Sequence, residues 1–379
     1  MAMQHRAAII GTGLIGNVHR KAIVAVGGVL AGVVGSSPAR AREVAGRWGG
    51  VAYPDPESVF ADPSVEVVHI CTPNALHHRL AKAALQARKH VVCEKPLAMT
   101  LAEASELADL ARSVDRVATV PFVYRYHPMA REARARMSEL GALQLVHGSY
   151  LQDWLLSANA TNWRVDSDQG GASRAFADIG SHWCDLLEWI TADRFASLVA
   201  ALATTVPRRP ATSRLTFAAP EAVAADQELR AVTTEDVAAL LLRTGSGVLC
   251  TLTVSQVSAG RKNRLWFEID GAKRSLIFDQ ELPEQLWIGS LEGMDLRVKD
   301  PTRGSAEQRR LAVLPAGLTQ GYVDCFEAFV GDTYAMIDGA ARDGVPTFAD
   351  GMRSAQVVDA VLRSAAQGTW VSVSAATTR

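Results

Sequence analysis

A short apolar strand, a glycine-rich loop and an amphipathic helix follow one another at the start of the chain. The strand is Arg6–Ile10, the loop runs from Gly11 to Gly16, and apolar residues continue at helical spacing to Val26. Glycines let the backbone turn tightly and approach a diphosphate, whose charge then meets the N–H groups at the helix start. The loop residues predicted to bind a dinucleotide are Gly11, Gly13, Leu14, Ile15 and Gly16.

The end of the second predicted strand, Val29–Gly35, bears on which dinucleotide binds. Where NAD-binding chains place a carboxylate for the ribose 2′-hydroxyl, this chain has Ser36 and Ser37, with Arg40 beyond them. The lack of an acid removes repulsion toward a 2′-phosphate, and arginine pairs with such a group. We therefore expect these three residues to contact the cofactor, NAD or NADP, with the choice open. The alternative is that the serines cap the helix beginning near Pro38.

Strands and helices alternate as far as residue 120. The pattern predicts strands at 65–71, 90–94 and 117–120, separated by helices at 75–87 and 101–111. This alternation implies a doubly wound, mostly parallel sheet covered on both faces, with ligands at the carboxyl ends of its strands. The residues expected at the cofactor there are Thr72, Pro73, Asn74, Glu94 and Lys95.

Charge and hydropathy exclude nucleic acid and membrane as partners. The 379 residues include 39 Lys and Arg against 40 Asp and Glu, a net charge of -1, so no long-range field attracts phosphate backbones. No apolar run approaches the roughly 20 residues of a membrane helix. Only four apolar residues separate Arg6 from Gly11, too few for a secretory signal, so we expect a cytoplasmic protein.

The pattern changes near residue 121, after which β-rich stretches predominate. A turn-forming segment at 243–247 joins two strands like a hairpin, and further short strands follow. We predict an open, mainly antiparallel sheet with helices on one face, so that the chain is α/β with two domains. The predicted domains are 1–121, which binds the dinucleotide, and 122–379, which binds substrate and whose helices at 321–341 and 350–366 pack back toward the first.

Lys95 is a candidate catalytic residue because of its place in the chain. It precedes Pro96, which favours an extended backbone, and it follows the buried-looking run His90–Cys93. An ammonium group at that strand end can stabilise the alkoxide that develops as a hydroxyl becomes a ketone. The alternative is a solvated surface lysine.

Asp178 and His182 form a second catalytic candidate. They are four residues apart, so Asp178 is predicted to cap the helix that carries His182 and to lie beside it on one helix face. An imidazole can accept a substrate hydroxyl proton, and a neighbouring carboxylate raises its basicity. The alternatives are a cap with a core histidine, or a metal site that includes Asp185. Because nicotinamide chemistry needs no metal, we predict none.

These motifs, in this order, resemble the Gfo/Idh/MocA family of NAD(P)-dependent sugar oxidoreductases. The resemblance covers residues 5 to about 190, and the motifs that carry it are the loop Gly11–Gly16, Cys71–Asn74 with His77, Glu94–Pro96, Arg125–Pro128, and Gly170-Gly171 leading into Asp178–His182. It implies a Rossmann domain, a catalytic group of Lys95, Asp178 and His182, and cofactor contacts by His77 and Arg125. It also implies a homodimer or homotetramer formed through the C-terminal sheet.

Two indole-containing segments suit a carbohydrate or polyol substrate. Trp154, Trp163 and Arg164 combine aromatic faces, which receive sugar C–H groups, with polar groups that fix hydroxyls. The family resemblance adds Tyr126 and Tyr322 to this pocket, besides the three catalytic candidates. Within the family the segments look most like those of pyranose and anhydrosugar dehydrogenases.

The predicted reaction is hydride transfer between a secondary alcohol of a sugar, anhydrosugar or cyclitol and NAD(P), giving a keto-sugar. Two enzyme alternatives stay open, an inositol dehydrogenase and an NADPH-dependent ketosugar or imine reductase. A non-enzyme alternative is a dinucleotide-sensing regulator with a degenerate site, against which the intact set Lys95, Asp178 and His182 argues.

Overall fold

The computed structural model describes residues 4–211 and 228–373 and divides the chain into two compact units. The first unit runs to Val123 and takes in Tyr322–Ala355; the second comprises Tyr124–Gly321 and the residues from Gln356 onward. None of the helices in the described ranges is both long and apolar enough to cross a bilayer.

The helices of the described residues are α1 (Leu14–Ala25), α2 (Pro38–Trp48), α3 (Pro56–Ala61), α4 (His77–Gln86), α5 (Leu101–Ser113), α6 (Pro128–Ala135), α7 (Ser167–Gly170), α8 (Ser181–Thr191), α9 (Ala306–Leu311), α10 (Tyr322–Ile337) and α11 (Phe348–Gln367). The strands are β1 (Arg6–Ile10), β2 (Val29–Val34), β3 (Val51–Ala52), β4 (Val67–Ile70), β5 (His90–Cys93), β6 (Ala118–Thr119), β7 (Leu143–Leu151), β8 (Phe195–Ala203), β9 (Arg208–Pro210), β10 (Leu229–Ala231), β11 (Val237–Thr244), β12 (Leu249–Ser255), β13 (Arg264–Gly271), β14 (Ser275–Asp279), β15 (Gln285–Ser290), β16 (Gly293–Val298) and β17 (Val371–Ser372).

The first unit is built on a parallel sheet with the strand order β3-β2-β1-β4-β5-β6. Residues 7–10 of its central strand are at most 2% exposed, as expected of a strand covered on both faces. The strand order reverses between β1 and β4, and ligands of such sheets bind outside the carboxyl ends of the strands at this point. The predicted doubly wound sheet is confirmed.

Helices of the first unit begin at identifiable caps. Ser37 Oγ accepts a hydrogen bond from Arg40 N (3.2 Å) with Pro38 as the first helical residue, which confirms the capping alternative for this serine. Later in the chain, α10 contributes Phe326, whose ring packs edge-on against that of His19 on α1, with ring centroids 4.7 Å apart. A segment distant in sequence thus completes the core of this unit.

The second unit contains a large sheet with the order β16-β15-β14-β13-β7-β12-β11-β8-β17 among the described residues. Its strands pair antiparallel except β7 with β12, which confirms the predicted mainly antiparallel sheet. Alternate residues of β11 and β13 are buried, the pattern of a sheet with one covered face. The sequence did not predict β16, because all six of its residues are exposed and no alternation marks it.

Candidate active site

The glycine loop closes tightly on the neighbouring strand end. Gly11 has φ +108°, and a Cβ there would lie 2.4 Å from Cys71 O, which follows β4. A Cβ on Gly16 would lie 2.2 Å from Gly11 O. Both contacts are with backbone atoms that cannot give way, so close packing requires glycine at these two positions.

Gly13 differs from its two neighbours in the motif, because a Cβ there would meet nothing within 4 Å. It is the N-cap of α1, which has no side-chain cap and no acidic residue in its first turn. Beyond the end of β4, Thr72 Oγ1 is buried with no hydrogen-bond partner among the described residues. Open space over a positively polarised helix end, with a free hydroxyl in the same unit, fits the diphosphate of a dinucleotide.

The end of β2 carries no carboxylate. Ser36 is exposed and Ser37 caps α2. Arg40 pairs with Glu43, with Nη1 to Oε2 at 2.8 Å, and its Nη2 lies 3.5 Å from Thr12 O in the glycine loop. Arg40 thus reaches the glycine loop while it forms an ion pair with Glu43 on the same helix.

His77 links the ends of β4 and β5. Its Nδ1 lies 2.7 Å from Pro96 O and its Nε2 lies 3.0 Å from Thr72 O. Burial lowers the pKa of His77, although the hydrogen bonds to both carbonyls oppose this shift. The predicted cofactor residue is therefore engaged in holding the two strand ends, while Asn74 beside it is 8% exposed.

Glu94 and Lys95 follow β5. Glu94 is 7% exposed, and its Oε1 lies 3.1 Å from His19 Nε2, while its Oε2 accepts the Lys95 N–H at 3.1 Å. Burial opposes ionisation of Glu94, but the hydrogen bond from His19 and the charge of Lys95 bring its pKa below the usual value. The Lys95 side chain is partly exposed, and its peptide bond to Pro96 is cis.

In the second unit, Asp178 does not cap the helix that carries His182. A π-helical turn, Phe176–Gly180, precedes α8, and the N-cap of α8 is Gly180. The cap prediction was wrong because helical backbone begins before Asp178, which lies inside this turn. That Asp178 lies beside His182 stays a prediction. Asp178 Oδ2 instead accepts a hydrogen bond from Gln256 Nε2 (2.9 Å), and its Oδ1 lies 3.5 Å from Arg164 Nε.

Gln256, a candidate site residue beside Asp178, was missed by the sequence analysis. It is 0% exposed, and its Oε1 is buried without a hydrogen-bond partner among the described residues. It directly follows β12, so the available signal was a polar residue at the end of an apolar strand. Through Asp178 it is linked to the predicted residue Arg164. The guanidinium carbon of Arg164 lies 4.3 Å from the ring centroid of Trp163, another predicted residue.

His182 lies among aromatic rings. It is 6% exposed, and the Tyr124 ring meets it edge-on with ring centroids 4.8 Å apart. The Tyr124 and Tyr150 hydroxyl oxygens are 2.5 Å apart, and Tyr150 donates to Asn263 Oδ1 (2.7 Å). Tyr124 was not among the sequence-predicted residues; the predicted Tyr126 is 1% exposed, and the Arg131 guanidinium lies over its ring, 4.9 Å from the centroid.

The polar chain continues to the predicted Trp154. Trp154 Nε1 donates to Gln152 Oε1 (2.7 Å), and Gln152 Nε2 donates to Asn263 Oδ1 (2.8 Å). Asn263 therefore links Gln152, which holds this indole, to the two tyrosines beside His182. Tyr322, the other tyrosine predicted in the pocket, begins α10 of the first unit, where its ring contacts Phe326 with centroids 5.6 Å apart.

Arg125 and Asp185 form a buried ion pair. Both Nε and Nη2 of Arg125 donate to the carboxylate, Nε to Oδ2 at 2.8 Å. The sequence analysis predicted Arg125 at the cofactor and did not predict its pairing with Asp185. Asp185 is therefore bound to Arg125. The alternative of a metal site at Asp178, His182 and Asp185 is not supported, because these three are not a group close enough to share an ion. Among the described residues, the group that is close enough is His147, Glu268 and Asp270.

Comparison with known families matches both units. A family model described as an oxidoreductase family with an NAD-binding Rossmann fold matches residues 5–122. A model described as a GFO/IDH/MocA C-terminal domain matches residues 130–277.

Similar proteins span the whole chain. Levoglucosan dehydrogenase of Pseudarthrobacter phenanthrenivorans is 30% identical over 96% of this chain and 97% of its own length. A solved levoglucosan dehydrogenase with NADH and levoglucosan has a TM-score of 0.87 at 28% identity, covering 98% of this chain and 100% of that one. An inositol dehydrogenase homologue from Azotobacter vinelandii, in complex with NAD+, has a TM-score of 0.84 at 26% identity, with 98% of each chain covered.

Proposed function

The chain belongs to the Gfo/Idh/MocA oxidoreductase family, and from this premise we propose that it oxidises a ring secondary alcohol of a sugar or anhydrosugar to a keto-sugar. The observation that carries the proposal is the set of polar and aromatic contacts made by Asp178 and by His182 in the second unit. Gln256 donates to the Asp178 carboxylate and has a buried Oε1 without a partner among the described residues, and the His182 imidazole lies against the Tyr124 ring. Polar groups and aromatic faces of this kind suit an uncharged, polyhydroxylated substrate.

The cofactor is a nicotinamide dinucleotide, and the glycine loop with Thr72 would hold its diphosphate. When bound, the nicotinamide ring supplies the acceptor for the substrate hydride. The choice between NAD and NADP rests on Ser36, Ser37 and Arg40. Because the end of β2 has no carboxylate and Arg40 reaches the loop, we propose that both are accepted.

We propose His182 as the base that takes the substrate hydroxyl proton, and Asp178 as the carboxylate that raises its basicity. Gln256 and Arg164 keep Asp178 in place by donating to its oxygens or lying beside them. Lys95 stabilises the negative charge that develops on the substrate oxygen as the proton leaves. In the reverse direction His182 returns the proton.

The substrate class is proposed from the indoles and from the relatives. Trp154 and Trp163 offer aromatic faces to sugar C–H groups, and Arg164, Gln256, Tyr126 and Tyr322 offer polar atoms to hydroxyls. The levoglucosan dehydrogenase similarity over nearly the whole chain supports an anhydrosugar or pyranose.

We further propose a cytoplasmic homodimer or homotetramer formed through the open face of the second sheet. Leu241 and Leu249 lie on that face, 44% and 37% exposed, where an interface would cover them. Light scattering of the wild type and Leu241→Glu tests this: the variant should dissociate, and a monomeric wild type would contradict the proposal.

A substrate panel tests the proposed reaction. Levoglucosan, glucose, myo-inositol and 1,5-anhydrofructose are assayed with NAD(H) and NADP(H) by the absorbance of reduced nicotinamide. We expect oxidation of at least one pyranose or anhydrosugar. Turnover of myo-inositol alone, or of ketone and imine substrates alone, would favour the two enzyme alternatives, and cofactor binding without turnover would favour a regulator.

A further inference from the structure

A chain of buried polar side chains in the first unit ends at Glu94, the residue before Lys95. It comprises Tyr334 on α10, His69 on β4 and His19 on α1, which are 5%, 0% and 0% exposed. The mechanism proposed above uses none of these three residues. Polar groups are costly to bury in a core, so a satisfied chain of this length needs an explanation.

The contacts connect three elements of the first unit, α10, β4 and α1, with the segment that follows β5. Tyr334 Oη lies 3.0 Å from His69 Nε2, and His69 Nδ1 lies 2.8 Å from His19 Nδ1. His19 Nε2 then lies 3.1 Å from Glu94 Oε1, and Glu94 Oε2 accepts the Lys95 N–H at 3.1 Å. All four distances are within the range of hydrogen bonds.

The protonation states follow from the two ends of the chain. The Glu94 carboxylate can only accept, so His19 Nε2 carries the hydrogen between them. Burial lowers the pKa of His69 well below its usual value, which makes this ring neutral, with one N–H. Two facing Nδ1 atoms need one hydrogen between them, supplied by one of the two histidines.

One arrangement satisfies every group. If His19 is neutral, its Nδ1 accepts from His69 Nδ1–H, and His69 Nε2 accepts from the Tyr334 hydroxyl. A doubly protonated His19 would instead place the His69 hydrogen on Nε2 and leave the Tyr334 hydroxyl hydrogen without an acceptor among the described residues. The first arrangement directs every donor toward Glu94.

We propose that His69 and Tyr334 are positioning residues for the proposed oxidation: they hold His19 as a donor to Glu94, and Glu94 in turn orients the backbone of Lys95. Neither residue needs to touch substrate or cofactor. The inference rests on the proposed function through the role of Lys95. A small displacement of that strand end moves the ammonium group relative to the reacting oxygen, and such displacements reduce rates by up to about 100-fold.

The first test does not depend on turnover. Histidine 15N NMR of the wild type should identify an Nε2–H tautomer for His19 and an Nδ1–H tautomer for His69. Tyr334→Phe removes the donor to His69 Nε2 and should convert His69 to a mixture of tautomers. An Nδ1–H tautomer of His19, or spectra unchanged by Tyr334→Phe, would overturn the proposal.

The second test separates positioning from stability. Tyr334→Phe and His69→Leu should each lower kcat about 10-fold with little change in sugar KM. His69→Asn should retain much of the kcat that His69→Leu loses, because the asparagine amide can donate to His19 Nδ1. The matched control is Tyr53→Phe, which also removes a buried hydroxyl of the first unit, one bonded to Asp62 at 2.5 Å, and should leave kcat unchanged.

The outcomes separate this inference from the proposed function. If Tyr334→Phe and Tyr53→Phe change kcat and Tm equally, or if His69→Asn behaves like His69→Leu, the chain is only structural and the inference is wrong. If Lys95→Ala retains full turnover, the proposed role of Lys95 is wrong and the inference fails with it, while the proposed oxidation stands. If the wild type oxidises no sugar, the proposed function is wrong, and NMR alone decides whether Tyr334, His69 and His19 order Glu94.

Discussion

Two buried polar networks, one in each unit, differ in how completely their side chains are paired. In the first unit, every polar atom from Tyr334 through His69 and His19 to Glu94 has a hydrogen-bond partner. In the second unit, Gln256 is as deeply buried, yet its Oε1 has no partner among the described residues, although its Nε2 holds Asp178.

This difference separates two roles. A fully paired network fixes geometry, because breaking any link leaves a buried group unsatisfied. A network with a remaining acceptor can still receive a donor, such as a substrate hydroxyl. Substitutions in the second unit should therefore change proton transfer and sugar binding, whereas those in the first should change cofactor binding and the placement of Lys95.

The largest effect is expected at His182. His182→Ala removes the proposed base and should lower kcat about 10²- to 10⁴-fold, the usual contribution of general base catalysis. Steady-state rates with the best sugar of the panel measure it. His78→Ala, which removes a surface imidazole paired with Glu106, is the control. If His182→Ala has the wild-type kcat, His182 is not the base and the proposed proton transfer in the second unit is wrong.

Lys95→Ala tests the catalytic part of the first unit. Loss of the charge that stabilises the developing alkoxide should lower kcat about 10²- to 10³-fold, while the dissociation constant of the dinucleotide stays the same. Lys82→Ala, which removes a surface partner of Glu106, should alter neither. Weaker dinucleotide binding with unchanged kcat would instead make Lys95 a binding residue.

Gln256→Leu removes the unpaired acceptor together with the donor to Asp178. If a sugar hydroxyl donates to Oε1, the variant should raise sugar KM about 10-fold, the cost of one buried hydrogen bond. Gln280→Leu is the matched control, because Gln280 Oε1 is also buried without a partner among the described residues but follows β14. Equal effects of both substitutions would show that a buried unpaired amide oxygen does not identify the substrate site.

The glycine loop sharpens the comparison within the first unit. Gly13→Ala meets open space, so Tm should be unchanged while the dinucleotide Kd rises about 10-fold. Gly16→Ala places a Cβ against Gly11 O and should lower Tm. Gly46→Ala, in the last turn of α2 with nothing near its Cβ, controls for the added methyl group. Calorimetric titration and thermal unfolding measure both quantities.

The smallest effect concerns cofactor choice. If Arg40 contacts a 2′-phosphate, Arg40→Ala should raise the KM for NADP about 5-fold and leave that for NAD unchanged, because the guanidinium is partly exposed and shared with Glu43. Arg47→Ala, which removes a second partner of Glu43, is the control. Equal changes for both dinucleotides would place Arg40 outside the 2′-phosphate site.

Some site features were predictable because they depend on local sequence. The glycine loop, the polar ends of two strands and the cap at Ser37 follow from residue type and position alone. Asp178 illustrates the limit: its position four residues before His182 predicts a helix cap, but the helical backbone begins earlier, in the π-helical turn at 176–180, and Gly180 is the N-cap of α8. The bond from Gln256 to Asp178 spans 78 residues, beyond any local pattern.

By itself the sequence determined the α/β class, the parallel and mainly antiparallel sheets and the glycine loop, since hydrophobic period and turn chemistry act over a few residues. Only the tertiary structure decided that the Tyr124 ring lies against His182, that Arg125 pairs with Asp185, and that Tyr334 reaches His69. These contacts join residues distant in the chain, and their partners depend on how whole helices and strands pack. A side chain's neighbours across a core are set by that packing, which no local pattern encodes.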